Sequence, residues 1–208
     1  MTGSVWDWTL ADFRDRAASD AATPGGGSAA MVSAAIGIGL VLMALRISAR
    51  KPERADAIHP LVESGERLLD EISGHADADI AVFDAYMATL KLPKESDEQK
   101  TTRRTAISRA AAAATEVPLN AAQSALEALD IARQTATVAN AGVMSDVMAG
   151  ATILNAAVAA VLINVDINLK SITDPDLAAS YAKSRAHLAS AAADRHAAIA
   201  AVVGKRLV

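Results

Sequence analysis

The stretch Thr23-Pro24-Gly25-Gly26-Gly27-Ser28 constrains this chain most. Three consecutive glycines are poor helix material, because glycine loses the most backbone freedom on ordering. Yet an uncharged run of small and apolar residues follows at once, from Ala29 to Leu45. Pro24 and the glycines predict a tight turn, with Ser28 as the N-cap of the helix behind it. In that helix Ala30, Ala34, Gly37 and Val41 recur at helical spacing, and Ser33 and Gly37 stand four apart. Small residues so placed let a second backbone approach closely. The exposed N–H groups of the helix start also suit a ligand, so Gly25, Gly26, Gly27 and Ser28 are candidate binding residues. No Gly-Lys-Ser/Thr follows the glycines and no apolar strand precedes them, which excludes a Walker loop and a dinucleotide fingerprint.

The chain has 208 residues and is 52% hydrophobic but only 3% aromatic, with alanine supplying much of the apolar count. That balance predicts closely spaced helices rather than sheets. The expected fold is all-α: one domain over 1–208, a single-domain helical bundle with two central helices rich in small apolar residues. The two uncharged runs, 29–45 and 147–165, supply those helices. Their alanine and asparagine content argues against membrane spans, which need roughly 20 predominantly apolar residues. A core so poor in large side chains buries little area per residue, so a surface shared with a second copy is expected. The net charge of −4 does not suggest a nucleic-acid partner. Cysteine is absent, and His59, His75, His187 and His196 have no ligand spacing, so neither a metal nor a cofactor is expected. The N-terminus, with Trp6, Trp8 and acids, does not read as a signal peptide, which predicts a cytoplasmic protein.

In chain order, residues 5–19 predict a short amphipathic helix with Trp6, Leu10, Phe13 and Ala17 on one face. The glycine-led helix ends near Ser48. A helix from about Pro52 to Ile72 is either interrupted at Gly74-His75 or continues as one helix to about Leu90. A long helix runs from about Ser96 to Val138; Pro118 inside it predicts a kink and a freed carbonyl near Ala114. Asn140 to Asp146 is a connection, with Ser145 or Asp146 capping the next helix. A last helix spans Asp176 to about Val203.

Asp79 stands inside the apolar stripe Ile72, Ala76, Phe83, Met87 and Leu90. A buried carboxylate is costly unless paired or hydrogen-bonded. It is therefore either a structural group holding a helix terminus or an arginine, or an acid in a cleft. Asp84 shares another face with Asp77. Asn164 and Asn168, four apart in an otherwise apolar helix, serve either helix-to-helix hydrogen bonds or recognition of a polar heterocycle. Lys94 and Arg103 face either water or an anionic ligand tail. No nucleophilic triad is visible. A glycine loop, isolated acids and amide side chains suit a flat polar ligand and metal-free acid–base chemistry.

Six segments, in order and spacing, resemble one family: Thr23 through Ala30, Asp79-x-x-x-Phe83, Leu92-Pro93-Lys94, Val117-Pro118-Leu119, Asn140 through Ser145-Asp146, and Asn164-Val165-x-x-Asn168-Leu169. It is the cyclodeaminase/cyclohydrolase family, known from the C-terminal domain of formiminotransferase-cyclodeaminase and from stand-alone bacterial methenyltetrahydrofolate cyclohydrolases. Val82, where the family usually has Ala, and the looser basic stretch from Arg46 to Arg54 are the departures. The resemblance implies an all-helical homodimer acting on one-carbon derivatives of tetrahydrofolate. The expected reaction is hydrolysis of 5,10-methenyltetrahydrofolate to 10-formyltetrahydrofolate. The alternative is closure of 5-formiminotetrahydrofolate with release of ammonia; a third reading is a non-catalytic helical module. On these positions Asp79 or Asp146 is the expected general base, Asp79 preferred, with Ser145 beside them. Asn140, Ser145, Asn164 and Asn168 are expected around the pterin or the attacking water, and Asp84 near the ligand. Lys94, with Arg103 as second choice, is expected to meet the glutamate tail.

Overall fold

The computed structural model describes residues 3–207, and all regular secondary structure among them is helical. Six α-helices follow one another: α1 (Leu10–Ala17), α2 (Gly26–Ser48), α3 (Pro52–Leu90), α4 (Asp97–Val138), α5 (Met144–Asn168) and α6 (Pro175–Arg206). Short 3-10 turns occupy Val5–Asp7, Ala141–Val143 and Leu169–Ser171.

α2 begins earlier than its sequence predicts. Gly25 is the N-cap, without a side-chain bond, and Ser28 is buried in the first turn rather than capping it. The capping acceptor comes from elsewhere in the chain: Asp79 Oδ2 on α3 accepts the Ser28 backbone N–H at 2.9 Å. With that remote carboxylate in place the helix needs no local cap. Along α2, Met31, Ile38, Leu42 and Leu45 are fully buried, each contributing roughly 1.5–3 kcal/mol.

Glycines set how closely the helices pack. A Cβ on Gly150 of α5 would lie 2.5 Å from the Gly37 carbonyl oxygen of α2, so the two backbones touch there. On α3, a Cβ on Gly65 would meet Leu42 at 2.7 Å. α3 is one helix of 39 residues, and Gly74 does not interrupt it. Its buried positions end at Ala76, and the remaining turns rise past the start of α2.

α4 carries the predicted Pro118, and Ser96 with Gln99 forms a capping box at its start. The carbonyl freed four residues before the proline, Ala114 O, accepts a hydrogen bond from Asn168 Nδ2 at 2.7 Å. The other end of α4 is held by Arg54, which donates to Val138 O, and by Arg206, which donates to Ala136 O and Ala139 O. Neither Ser145 nor Asp146 caps α5: Val143 occupies that position, because the 3-10 turn runs directly into the helix.

The N-terminal face also differs from the prediction. Val5 is buried, and Asp77 ties this segment down by accepting from Val5 N and Ser4 Oγ. Trp8, not Trp6, pairs with Phe13, and the Arg16 guanidinium lies over the Trp8 ring. Leu10 is exposed, and α1 has no buried residue.

By length and composition alone, α2 and the stretch 141–171 are apolar enough to cross a membrane. Within one chain neither α2 nor α5 is enclosed. Ile36, Met43, Ile163 and Ile167 form part of their outward surface.

Candidate active site

A cavity of about 280 Å³ opens where the start of α2 meets α3, α4 and the end of α5. Helical spacing builds its walls. Asp79, Val82, Phe83 and Tyr86 stand at i, i+3, i+4 and i+7 on α3; Asn164, Ile167 and Asn168 repeat the pattern on α5. Gly25, Gly26 and Gly27 form the α2 side, with Ala22, Thr23 and Ala114 completing the lining.

Asp79 is the acid of this cavity and is held from three directions. Its Oδ2 accepts from Ser28 N at 2.9 Å and lies 3.0 Å from Ser28 Oγ, whose proton Ala76 O can also accept at 2.9 Å. Its Oδ1 faces Asn164 Nδ2 at 3.3 Å. The carboxylate thus sits at the positive end of α2, where such a charge gains roughly 0.3–2 kcal/mol. The structural and site readings of Asp79 therefore coincide: it caps a neighbouring helix and lines a cavity. Gly27 makes this possible, since a Cβ there would lie 2.0 Å from Asp79 Oδ1.

The two asparagines also serve both purposes. Each commits its amide nitrogen, Asn164 to Asp79 and Asn168 to Ala114 O. Both side chains line the cavity, leaving amide oxygens as acceptors for a ligand's N–H groups. Phe83 and Tyr86 supply aromatic surface, and the Tyr86 hydroxyl lies 3.3 Å from Ser171 Oγ.

A sequence model of the formiminotransferase-cyclodeaminase family matches residues 9–187. The chain belongs to this family. All the motif segments quoted above fall inside that match. A methenyltetrahydrofolate cyclohydrolase of Methylorubrum extorquens is 35% identical over 171 residues, covering 80% of this chain and 81% of that protein. The formimidoyltransferase-cyclodeaminase of Gallus gallus is 31% identical over 188 residues, and this chain spans 35% of its length. The crystal structure of formiminotetrahydrofolate cyclodeaminase from Thermotoga maritima shares the fold, with a TM-score of 0.86 at 21% identity over 97% of this chain and 98% of that one.

The family's motif residues divide into two groups in a single chain. Gly25, Gly26, Gly27, Asp79, Asn164 and Asn168 line one cavity, with Ser28 directly behind it. Asn140, Ser145 and Asp146 lie at the opposite end: Asn140 N donates to Ser48 Oγ at the far end of α2. Asp146 precedes Asn164 by eighteen residues on α5, about 27 Å along the axis. Asp84 is exposed and does not line the cavity. Lys94 is exposed on the loop before α4. Arg103 donates to Leu90 O at 3.1 Å, closing the end of α3. Tyr86, Val82 and Thr23 were not among the expected site residues, although Thr23 and Val82 stand in or beside the motif segments. The first two were reachable, because they stand seven and three residues after Asp79 on the same helical face.

Proposed function

We propose that this protein hydrolyses 5,10-methenyltetrahydrofolate to 10-formyltetrahydrofolate. The observation that carries the reading is Asp79, a carboxylate fixed at a helix N-terminus in the wall of a cavity with aromatic and amide surfaces. The Methylorubrum extorquens relative, matched over four-fifths of both chains, supports the substrate class. The methenyl bridge is a delocalised cation, and a carboxylate beside it lowers the energy of the bound cation. Asp79 accepts a proton as water adds to the bridge carbon. The carbon–N5 bond then breaks, N5 leaves with a proton, and the added oxygen becomes the formyl carbonyl on N10. Of the two water protons, one ends on N5 and the other is released. Asn164 and Asn168 orient the pterin through their amide oxygens, and Phe83 and Tyr86 pack on its face. Written this way, the reaction uses side chains alone, without a metal or cofactor, and we place it in the cytoplasm.

The test is the loss of 5,10-methenyltetrahydrofolate absorbance near neutral pH, against the uncatalysed background. Acceleration with formation of 10-formyltetrahydrofolate is expected. The second reading, closure of 5-formiminotetrahydrofolate with ammonia release, draws support from the formimidoyltransferase-cyclodeaminases of Gallus gallus and Sus scrofa, the latter 32% identical over 168 residues. Ammonia release without methenyl hydrolysis would select it. Inactivity in both assays, with the protein folded, would favour a non-catalytic module.

We also propose that the protein works as a homodimer. Supporting this is a shallow groove of about 460 Å³ between α2 and α5, lined by Ala29, Ser33, Ile36, Ile153, Ala156 and Ala160. Exposed Ile163 and Ile167 extend its apolar surface, and Gly26 lines both this groove and the Asp79 cavity.

A further inference from the structure

The proposed substrate ends in a glutamate arm, and the structure does not present either cation expected to receive it. Lys94 stands on an exposed loop and lines neither the Asp79 cavity nor the cleft beside it, and Arg103 donates through one Nη to Leu90 O, with its buried Nε without a partner among the described residues. Most other arginines are engaged as well: Arg46 with Glu66, Arg185 with Asp166, Arg195 with Asp130, and Arg54 and Arg206 on carbonyls. Among the described residues Arg50, Arg67, Arg104 and Arg109 make no hydrogen bond or ion pair, and of these four it is Arg104 and Arg109 that line a second cleft, of about 450 Å³, with Thr105, Ser108 and Thr173.

This cleft lies close to the first. Arg109 and Arg104 precede Ala114, which lines the Asp79 cavity, by five and ten residues on α4. That places them about 8 and 15 Å away along the helix axis. The segment joining the two clefts is the 3-10 turn after Asn168 with the short link that follows it to Asp174. Tyr86 approaches it through Ser171, and Ser108 through Thr173, with Ser108 Oγ and Thr173 Oγ1 3.0 Å apart. The nearest acid on that segment, Asp174, makes no ion pair with either arginine; its Oδ1 accepts from Asp176 N and Leu177 N of α6.

We propose that Arg104 and Arg109 form the carboxylate subsite for the glutamate arm of the folate whose ring occupies the Asp79 cavity, an inference that rests on the folate reading. A guanidinium fork matches a carboxylate, and the hydrogen-bonded hydroxyl pair of Ser108 and Thr173 leaves one further donor. The arm, not the reacting ring, is what this subsite holds. Its removal therefore weakens binding without slowing chemistry.

The experiment compares the wild-type protein with the double variant Arg104→Gln/Arg109→Gln. The substrates are 5,10-methenyltetrahydrofolate and the same compound lacking glutamate. Two solvent-exposed pairs predict a rise in KM for the full substrate of about two- to thirty-fold. kcat should stay within about twofold, and KM for the truncated compound should be unchanged. An equal KM rise on both substrates, or none on the full one, overturns the subsite. Calorimetric binding of 5-formyltetrahydrofolate and 5-formyltetrahydropteroate separates this inference from the reaction. Arm-dependent binding that the double variant loses, in a protein with no turnover, leaves the subsite standing and removes the cyclohydrolase reading. Turnover with an arm preference indifferent to both arginines does the reverse. Binding of neither compound, together with no turnover, overturns both.

Discussion

Gly27→Ala is the substitution that most directly tests how the site is built. The added Cβ would lie 2.0 Å from Asp79 Oδ1, 2.5 Å from Asp79 Cγ and 2.6 Å from Asn164 Nδ2. Carbon–oxygen contacts below about 3 Å do not persist, so the carboxylate must retreat by roughly 1 Å. A displacement of that size at a reacting group costs on the order of a hundredfold in rate. Stability moves far less. Weakening the bond from Ser28 N to Asp79 costs about 0.5–2 kcal/mol, as losing a cap does. Alanine in place of a helical glycine returns about 0.5–1 kcal/mol. The expected result is a kcat lowered about a hundredfold with Tm shifted by no more than a few degrees. Gly74→Ala is the control. Nothing lies within 4 Å of its Cβ position on α3, the helix that carries Asp79, so it should keep full activity and gain slightly in Tm. Retention of kcat within threefold in Gly27→Ala would refute the claim that Asp79 must stand where it does.

Asp79→Asn keeps an acceptor oxygen for Ser28 N, since asparagine also caps helices well, but removes the base. kcat should fall by about 10²–10⁴, with a stability loss of about 1 kcal/mol because the new amide N–H faces Asn164 Nδ2, and normal turnover would remove Asp79 from the mechanism. Asn168→Ala leaves the carbonyl freed by Pro118 without its partner, so denaturant titration should show a loss of about 1–3 kcal/mol. Asp146→Asn, about 27 Å from the cavity along α5 in the same chain, should leave kcat within about threefold. If it is inactive but regains activity when mixed with Asp79→Asn subunits, the partner copy contributes this residue. Burial holds the His75 imidazole below its ordinary range, only partly opposed by Glu71, and its Nε2 lies 3.0 Å from Ser124 Oγ. The unfolded chain therefore binds the proton first. Stability is complete above the unfolded value near 6.5 and declines as pH falls below it. Urea midpoints at pH 7.5 and 5.5 should show that decline, and His75→Gln should flatten it.

What could be read from the chain was whatever helical periodicity carries. The bounds of α2 at Ser48 and of α4 at Val138 followed from composition and Pro-Gly punctuation. The freed Ala114 carbonyl followed from Pro118 alone, but no local rule named Asn168, fifty-four residues later, as its donor. The start of α2 was misplaced for the same reason. Ser28 is a sound cap by local chemistry, and a carboxylate fifty-one residues away took the role instead. Both cases are long-range satisfaction of backbone groups, which pattern along the sequence does not record. They also explain why polar residues on apolar helices were the most informative signal. Asp79, Asn164 and Asn168 each stand where a core would prefer carbon; Asp79 is held by the start of α2, Asn168 by the carbonyl that Pro118 frees, and Asn164 by Asp79 itself. Those bonds bring the three side chains to one place. Asp79 and Asn168 thus satisfy backbone groups of neighbouring helices and line the cavity at once, and substitutions there should change rate and stability by different amounts.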